Sequence, residues 1–158
     1  MEFVIENYIL RATEDGKIER YYEYKKRPRN FWKEIKGVKD RGYLKIKLYL
    51  TSGKRDFKVH RLVYFAHNQD WDIYDTTKVI DHDDRIKTNN KIGNLRLITT
   101  QQNAFNTNAK GYSFDKKSQK WRARIIFDGK IEYLGYYDTP EEAHQAYLAK
   151  KATLHTIP

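Results

Sequence analysis

Three polar residues in one short stretch of the chain, Asp81, His82 and Asn103, are of the types that cleave a phosphodiester bond. That reaction needs a base to take a proton from water and a cation to neutralise charge on the phosphate and on the departing oxygen. Histidine titrates near neutral pH, so His82 is a candidate general base. Asp81 and Asn103 offer hard oxygen ligands, which suit one Mg²⁺ ion, or Mn²⁺ through the same atoms.

The elements that must position these residues can be read from the surrounding pattern. Residues 78–81 and 95–98 are short β-branched and apolar runs, which predict two strands. The polar loop between them is rich in Asp and Asn, whose side chains stabilise irregular turns. Thr99 or Thr100 can cap a helix, and Asn103 would lie about one turn into it. The predicted unit is therefore ββα.

At these residues the segment resembles the HNH (His-Asn-His/Asn) endonuclease family, whose fold is the ββα-metal unit. The matching parts are Asp81-His82, Asn89-Asn90, Asn94-Leu95-Arg96, Asn103 and, upstream, Val59-His60-Arg61-Leu62-Val63-Tyr64-Phe65-Ala66. The resemblance covers about residues 41–107. It implies that Asp81 and Asn103 hold the metal, that His82 is the general base, and that Asn94 braces the loop and orients His82.

The loop departs from the family pattern at one point. Family members often carry glycine in the turn after Asp-His-x-Asp, whereas Arg85 and Ile86 occupy this region here. Two alternatives follow: Arg85 contacts the phosphate backbone, or the loop turns differently.

The composition and net charge of the chain exclude some kinds of structural site and indicate the kind of partner. The chain has 158 residues, no cysteine and a net charge of +10, which excludes disulfides and Cys-ligated zinc. No apolar run reaches the length of a membrane span and no secretory segment is visible, so we expect a soluble, cytoplasmic protein, in the host cytoplasm if phage-encoded. The net charge is +7 over residues 1–60, 0 over 61–108 and +3 over 109–158. Basic flanks around a neutral centre suit a polyanion held on both sides of a metal site, and RNA fits this charge as well as DNA does. Double-stranded DNA as the partner is what the family resemblance implies.

Cations and aromatic residues supply the candidate DNA contacts. Residues 20–33 interleave tyrosines with arginines and lysines, a mixture that pairs phosphate contacts with stacking or builds ordinary amphipathic strands. The candidates are Lys25, Lys26, Arg27, Arg29, Lys45, Lys47, Arg61, Arg85, Arg122, Arg124 and Tyr133.

Local patterns predict further elements before the ββα unit. Residues 43–50 alternate strictly between leucine or isoleucine and polar residues, which indicates a half-buried strand. A turn at residues 51–54 leads to a second strand over 56–59, and residues 61–67 then predict a short buried helix. We interpret His60 and His67 as structural, because Asp81-His82 offers a better catalytic pair. A polar linker is expected at 108–110.

After the linker the pattern changes to three strands and a helix. Strands are predicted at 111–114, 120–127 and 130–136, with Asp128-Gly129 as a two-residue hairpin turn. Thr139-Pro140-Glu141-Glu142 then opens a helix. The second strand should turn Trp121, Ala123, Ile125 and Phe127 towards the helix and Arg122 and Arg124 outward. An exposed arginine row on a sheet can enter a major groove.

Residues 111–152 resemble the plant ethylene-response-factor (ERF, APETALA-two type) DNA-binding domain. The motifs are Lys120-Trp121-x-Ala123-x-Ile125, Tyr133-Leu134-Gly135-Tyr136-Tyr137-Asp138-Thr139 and Glu141-Glu142-Ala143-x-x-Ala146-Tyr147. The first strand offers Ser113, Asp115, Lys116 and Lys117 where that family usually presents several arginines, so base contacts do not carry over. Arg122, Arg124 and Tyr133 are the surface candidates.

The chain is thus expected to be α+β with two domains. The first, over residues 1–107, contains N-terminal antiparallel strands and a ββα-metal core over about 78–107. After the linker, the second domain, over 111–158, contains a three-stranded antiparallel sheet packed on one helix. A nuclease unit followed by such a sheet resembles phage and mobile-intron homing endonucleases, in which a separate module supplies target specificity. The alternatives are a DNA-binding regulator with a non-catalytic ββα scaffold, and an RNA-binding or RNA-cleaving protein. A monomer would nick one strand, whereas a homodimer would cut both.

Overall fold

Short antiparallel strands carry most of the fold in the computed structural model, which describes residues 1–23 and 30–154. The chain divides into two units, Met1–Thr99 and Thr100–Pro158. No helix in the described part of the chain is long and apolar enough to cross a membrane. The α+β expectation is confirmed by this mixture of antiparallel sheets and a few helices.

Within its described residues, 1–23 and 30–99, the first unit contains three sheets and one α-helix. Its elements are β1 (Glu2–Ile5), β2 (Tyr8–Ala12), β3 (Ile18–Tyr22), β4 (Phe31–Glu34), β5 (Val38–Asp40), β6 (Tyr43–Leu50), β7 (Gly53–Lys58), α1 (Val59–His67), β8 (Lys78–His82), a 3₁₀ turn (Ile92–Asn94) and β9 (Leu95–Thr99). Strands β1 to β4 form one antiparallel sheet in sequence order, β5 to β7 a second, and β8 pairs with β9.

Helix α1 lies at the centre of this unit and packs against β2, β3, β6, β7, β8 and β9. Its Leu62 and Val63 are fully buried, together with Leu10 of β2 and Leu48 of β6. Burying a leucine or valine side chain contributes about 1.5–3 kcal/mol. The helix therefore joins the two larger sheets to the β8–β9 hairpin through one continuous apolar core.

The strand predicted over 43–50 is confirmed with those bounds, and its alternation has the predicted direction. Ile46, Leu48 and Leu50 are buried, whereas Lys47 is exposed. The next strand begins three residues earlier than predicted, and α1 begins at Val59 rather than at residue 61. The helix starts earlier because Val59 and His60 are buried on the face that it presents to the core.

The second unit begins with α2 (Thr100–Phe105) and continues with β10 (Tyr112–Asp115), β11 (Lys120–Phe127), β12 (Lys130–Tyr137) and α3 (Pro140–Leu154). The three strands form an antiparallel sheet in sequence order, and α3 packs on one face of it. Ala123 and Ile125 of β11 are buried on that face with Ala143 and Tyr147 of α3. The predicted three-stranded sheet on one helix is therefore observed.

The local signals that predicted these elements have their expected geometry. Asp128 and Gly129 both have positive φ, 49° and 70°, as a two-residue hairpin turn requires. The backbone N–H of Glu142 donates to Thr139 Oγ1 at 3.2 Å, which caps α3. Strand β8, strand β9 and helix α2 follow one another along the chain in the predicted ββα order.

Candidate active site

The β8–β9 hairpin brings Asp81 and Arg96 directly opposite each other. Arg96 donates from Nε and Nη2 to Asp81 Oδ2, at 3.0 and 2.9 Å, and its Nη1 lies 2.7 Å from Asp83 Oδ1. The Asp81 side chain is only 8% exposed. Breaking a buried ion pair by removing one partner typically costs 3–5 kcal/mol, because the remaining charge is left uncompensated. Arg96 is thus the cation that stabilises the Asp81 carboxylate in the protein alone.

His82 is buried, and its ring contacts an asparagine side chain and two other rings. Its Nε2 lies 3.1 Å from Asn90 Oδ1, and both residues are almost fully buried. Since an amide oxygen can only accept a hydrogen bond, Nε2 carries the proton of neutral His82 and Nδ1 carries the lone pair. The ring also contacts those of His60 and Tyr43, at centroid distances of 5.0 and 5.9 Å. The tautomer and the ring orientation are therefore set by Asn90 and the neighbouring rings.

Asn94 braces the loop between the strands. Its Oδ1 accepts from the Asp84 backbone N–H at 3.0 Å, and its Nδ2 donates to Asp84 Oδ1 at 3.0 Å and to the Asn89 carbonyl at 2.8 Å. Asn89 Nδ2 donates to the other Asp84 oxygen at 2.6 Å. The bond from Asn89, followed by those from the Ile86 backbone N–H and from Asn94 Nδ2, holds the pKa of the Asp84 carboxyl below its usual range. The loop that carries Asn90 is thus fixed by an ordered Asp–Asn network.

Arg85 lies in this loop with φ of 63°, in the left-handed region that favours glycine. Its backbone N–H donates to the His82 carbonyl at 2.9 Å, which closes the turn after the Asp81-His82 pair. The side chain is exposed. A contact of Arg85 with a phosphate stays a prediction.

Asn103 lies in α2, which belongs to the second unit. Its pairing with Asp81 as a metal ligand therefore stays a prediction. Within residues 1–23 and 30–154, no group of three or more His, Asp or Glu side chains has the spacing of a metal site. The donor set expected here has one carboxylate and one amide, as suits a Mg²⁺ ion that keeps several waters. The Arg96 guanidinium against Asp81 Oδ2 shows that this carboxylate accommodates a cation, so the chemistry of Asp81 suits such an ion.

The predicted DNA-contacting residues of the first unit differ in their surroundings. Lys47 is exposed on β6, whereas Lys45 lies 3.1 Å from Asp56 and 3.6 Å from Asp40. Arg61 is half-buried, and its Nη2 donates to the carbonyls of Ile73 and Asp75, both at 2.6 Å. The predicted residues Lys25, Lys26, Arg27 and Arg29 lie outside the described residues.

In the second unit, Arg122, Arg124 and Tyr133 share one sheet. Arg124 pairs across the strands with Tyr133, and the Arg122 guanidinium lies 5.4 Å from the Tyr133 ring centroid. Arg124 and Tyr133 are exposed, whereas Arg122 is partly buried. Binding of DNA by these three residues stays a prediction.

Three neighbours of the site have no role in the sequence-based interpretation: Asn90, Arg96 and Tyr43. The Asn-Asn pair and the Asn-Leu-Arg motif were visible as parts of a pattern, and they could have pointed to Asn90 and Arg96. Nothing in the sequence around Tyr43 indicates that its ring lies beside His82. The interpretation of His60 as a structural residue agrees with its burial at 4% exposure.

Burial of His60 leads to a prediction about stability and pH. Burial, with the nearby His82, Lys58 and Arg61 charges, lowers the pKa of His60 to about 3. The unfolded chain binds a proton near pH 6.5, whereas the folded chain does not, so folded-state stability is lost as the pH falls from 6.5 towards 3. Between pH 7 and pH 5, wild type should lose about 2 kcal/mol more unfolding free energy than His60→Phe, as measured by urea unfolding. Equal losses in the two proteins would contradict this assignment.

Comparison with known proteins adds a family for part of the chain. Residues 57–105 match the family model described as HNH endonuclease. The match spans α1, the β8–β9 hairpin and α2, and it supports a nuclease at the family level; such nucleases generally use a divalent metal and act on DNA. It covers less than half of the chain, and residues 106–158 lie outside it. No curated protein and no solved structure matches the chain.

Proposed function

We propose that this chain is a metal-dependent, site-specific DNA endonuclease of the homing type, as found in phages and mobile elements. The observation that carries the proposal is the pair Asp81 and His82: both side chains are buried and individually held, within the segment that matches the HNH endonuclease model. A buried carboxylate beside an imidazole of fixed tautomer has a clear use in phosphodiester hydrolysis.

His82 acts as the general base in this proposal. Nδ1 takes a proton from the attacking water, the water oxygen bonds to phosphorus, and the bond from phosphorus to the 3′ oxygen breaks. Asn90 accepts from Nε2–H at the opposite side of the ring, so Nδ1 carries the lone pair that takes the proton. Positioned general-base catalysis contributes typically 10²–10⁴-fold in rate.

Asp81 and Asn103 are the proposed metal ligands, for Mg²⁺ or Mn²⁺. When bound, the ion supplies positive charge at the phosphate and at the departing 3′ oxygen. Arg96 holds Asp81 in place when no ion is bound. Asn94 keeps the loop in register through its bonds to Asp84 and Asn89, and the role proposed for it is to brace the loop on which Asn90 and His82 depend.

Double-stranded DNA is the proposed partner, because HNH nucleases act on DNA and residues 57–105 match that family model. The excess of 31 Lys and Arg over 21 Asp and Glu residues suits such a polyanion. The exposed sheet face with Arg122, Arg124 and Tyr133 is proposed to supply target specificity. The candidate cations of the first unit are proposed to hold the phosphate backbone: Lys25, Lys26, Arg27, Arg29, Lys45, Lys47, Arg61 and Arg85.

Asn90 gives a prediction specific to this geometry. Asn90→Ala removes the hydrogen-bond acceptor of the buried His82 Nε2–H, so the Nε2–H tautomer of His82 is no longer favoured over the other. The single-turnover cleavage rate should fall about 10- to 100-fold at unchanged duplex affinity, because the base is misplaced rather than removed. Asn90→Asp keeps an acceptor oxygen and should restore the Nε2–H tautomer. Long-range ¹H–¹⁵N spectra of the His82 ring report the tautomer directly, and an unchanged spectrum in Asn90→Ala would contradict this role.

The proposed function is tested with supercoiled plasmid DNA. Wild-type protein should convert it to nicked or linear DNA with Mg²⁺ or Mn²⁺ and leave it intact with EDTA, and Asp81→Ala should be inactive with each metal. The ratio of nicked to linear product distinguishes cutting of one strand from cutting of both. Tight duplex binding with no cutting, across metals and a library of plasmid inserts, would favour the regulator alternative instead.

A further inference from the structure

Tyr43 lies at the start of β6, and two lysine side chains meet on its ring. Lys58 Nζ is 4.5 Å and Lys87 Nζ 4.8 Å from the ring centroid. Each contact is within the range of a cation–π interaction. Lys58 is the last residue of β7 and Lys87 belongs to the loop after β8, so three separate segments of the first unit converge on this ring.

The convergence is built into the backbone. Tyr43 follows the two-residue turn Arg41-Gly42, whose φ angles are 50° and 87°, which fixes where β6 begins. Lys87 Nζ donates to the Arg41 carbonyl of that turn at 3.4 Å. A Cβ atom on Gly42 would lie 3.2 Å from Lys87 Cδ, so glycine leaves room for the lysine stem to cross the turn.

Neither ammonium group has a carboxylate partner among residues 1–23 and 30–154. Other lysines of the same unit do: Lys17 pairs with Asp15, and Lys45 with Asp40 and Asp56. Two like charges on one ring repel each other, and a ring face offsets only a small part of that repulsion. An anion bound at the ammonium groups would offset this repulsion.

The position of this pair indicates which anion fits. The Tyr43 ring is 5.9 Å from the His82 ring and 5.1 Å from the His60 ring. An anion bound at the lysines would therefore lie beside the proposed general base. A nucleic-acid strand carries one phosphate per about 3.4 Å of helix axis, so a strand with one phosphate at His82 has its neighbours within reach of the two ammonium groups.

We propose that Tyr43, Lys58 and Lys87 form a phosphate-binding site beside His82, which holds the cleaved strand by its sugar–phosphate backbone. The proposal deepens the proposed nuclease function and rests on it for the identity of the ligand. Tyr43 is a positioning residue that holds the two ammonium groups at one place, while Lys58 and Lys87 contact the phosphates.

The first test measures binding without cleavage. A random-sequence 30-base-pair duplex in EDTA is titrated by fluorescence anisotropy over a series of salt concentrations. The double variant Lys58→Ala/Lys87→Ala should lower the slope of log affinity against log salt by about 2, one unit for each lost phosphate contact. The matched control is Lys36→Ala/Lys54→Ala, which removes two exposed lysines of the same unit and should change the slope by less than one.

The second test separates the ring from its hydroxyl group. Tyr43→Phe keeps the aromatic face and should bind and cut as wild type does. Tyr43→Leu releases both ammonium groups, so it should weaken duplex binding and slow cleavage by at least about 10-fold, as expected when a reacting group is no longer held in place.

The outcomes distinguish this site from the nuclease function. If wild type cuts DNA and the Lys58/Lys87 variant keeps the wild-type salt slope and cleavage rate, the site is overturned and the nuclease stands. If wild type never cuts, the binding arm still decides: a slope loss specific to Lys58 and Lys87 supports the phosphate site, and a loss equal to that of the Lys36/Lys54 control overturns it.

Discussion

His82→Ala should lower the cleavage rate of plasmid DNA by about 10²–10⁴-fold, the usual contribution of a positioned general base. Duplex affinity should stay close to that of wild type, because the phosphate backbone is held by lysine and arginine side chains that this substitution leaves in place. The ring is buried and hydrogen-bonded to Asn90, so its orientation is set before substrate arrives. The measurement is single-turnover cleavage at saturating protein with Mg²⁺.

His67→Ala is the matched control for that prediction. His67 is the last residue of α1 and is exposed, so its substitution removes one histidine and leaves the β8–β9 hairpin unchanged. It should cut DNA at the wild-type rate. A His82→Ala protein that still binds duplex and cuts within a few-fold of wild type would remove His82 from the mechanism.

Gly16→Ala should damage both stability and catalysis, although the glycine lies far from the hairpin in sequence. Gly16 has φ of 81° in the turn between β2 and β3, and a Cβ atom there would lie 2.4 Å from the Asn90 carbonyl carbon and 2.8 Å from the Lys91 nitrogen. Left-handed backbone costs about 1–2 kcal/mol for alanine, and overpacking typically costs 1–3 kcal/mol. We therefore expect an unfolding free energy lowered by roughly 3 kcal/mol. Because the obstructing atoms are backbone, Asn90 must move, and cleavage should slow as it does in Asn90→Ala.

Gly53→Ala separates backbone strain from the contact with Asn90. Gly53 also has positive φ, 123°, but no atom lies within 4 Å of its would-be Cβ. Its substitution should cost stability through strain alone and leave the cleavage rate and the His82 tautomer unchanged. Urea unfolding and single-turnover cleavage of the two variants make the comparison; a Gly16→Ala protein with a wild-type rate would show that Asn90 tolerates the displacement.

The sequence predicted those elements whose signals are local. Residues 43–50 alternate without interruption, Asp128-Gly129 supplies two residues that tolerate positive φ, and Thr139 stands three residues before Glu142. Each signal acts within a few residues, so strand β11 and the start of α3 have the predicted bounds. The start of α1 was wrong by two residues, because it depends on burial of His60 rather than on a capping side chain.

The contacts that shape the candidate site join residues far apart in the chain, so local sequence patterns do not predict them. Arg96 faces Asp81 because of the register between β8 and β9. A long loop separates the two strands, so the sequence does not predict this register. Tyr43 reaches His82, and Gly16 reaches Asn90, only once the sheets have packed around α1. The types and order of the reacting residues can therefore be predicted from the sequence, whereas the residues that contact and orient them cannot.

Arg61 illustrates the same limit for a predicted surface residue. From sequence it is a cation next to the nuclease segment, and it was proposed to bind DNA. In the fold its guanidinium donates to two backbone carbonyls and lies 4.7 Å from the Trp71 ring centroid. These bonds tie α1 to the segment that leads into β8. Lys58 and Lys87, which lack carboxylate partners among the described residues, are better placed to bind phosphate.

The most direct measurement of the central claim is the chemistry of the ends that the protein leaves on DNA. A plasmid library is incubated with wild type and Mg²⁺, and new ends are captured by ligation and sequenced. Hydrolysis with the 3′ oxygen as leaving group predicts 5′-phosphate and 3′-hydroxyl ends at discrete sites, absent with EDTA and absent in Asp81→Ala. Ends that form equally in EDTA or in Asp81→Ala, or no new ends despite tight duplex binding, would contradict a metal-dependent nuclease centred on Asp81 and His82.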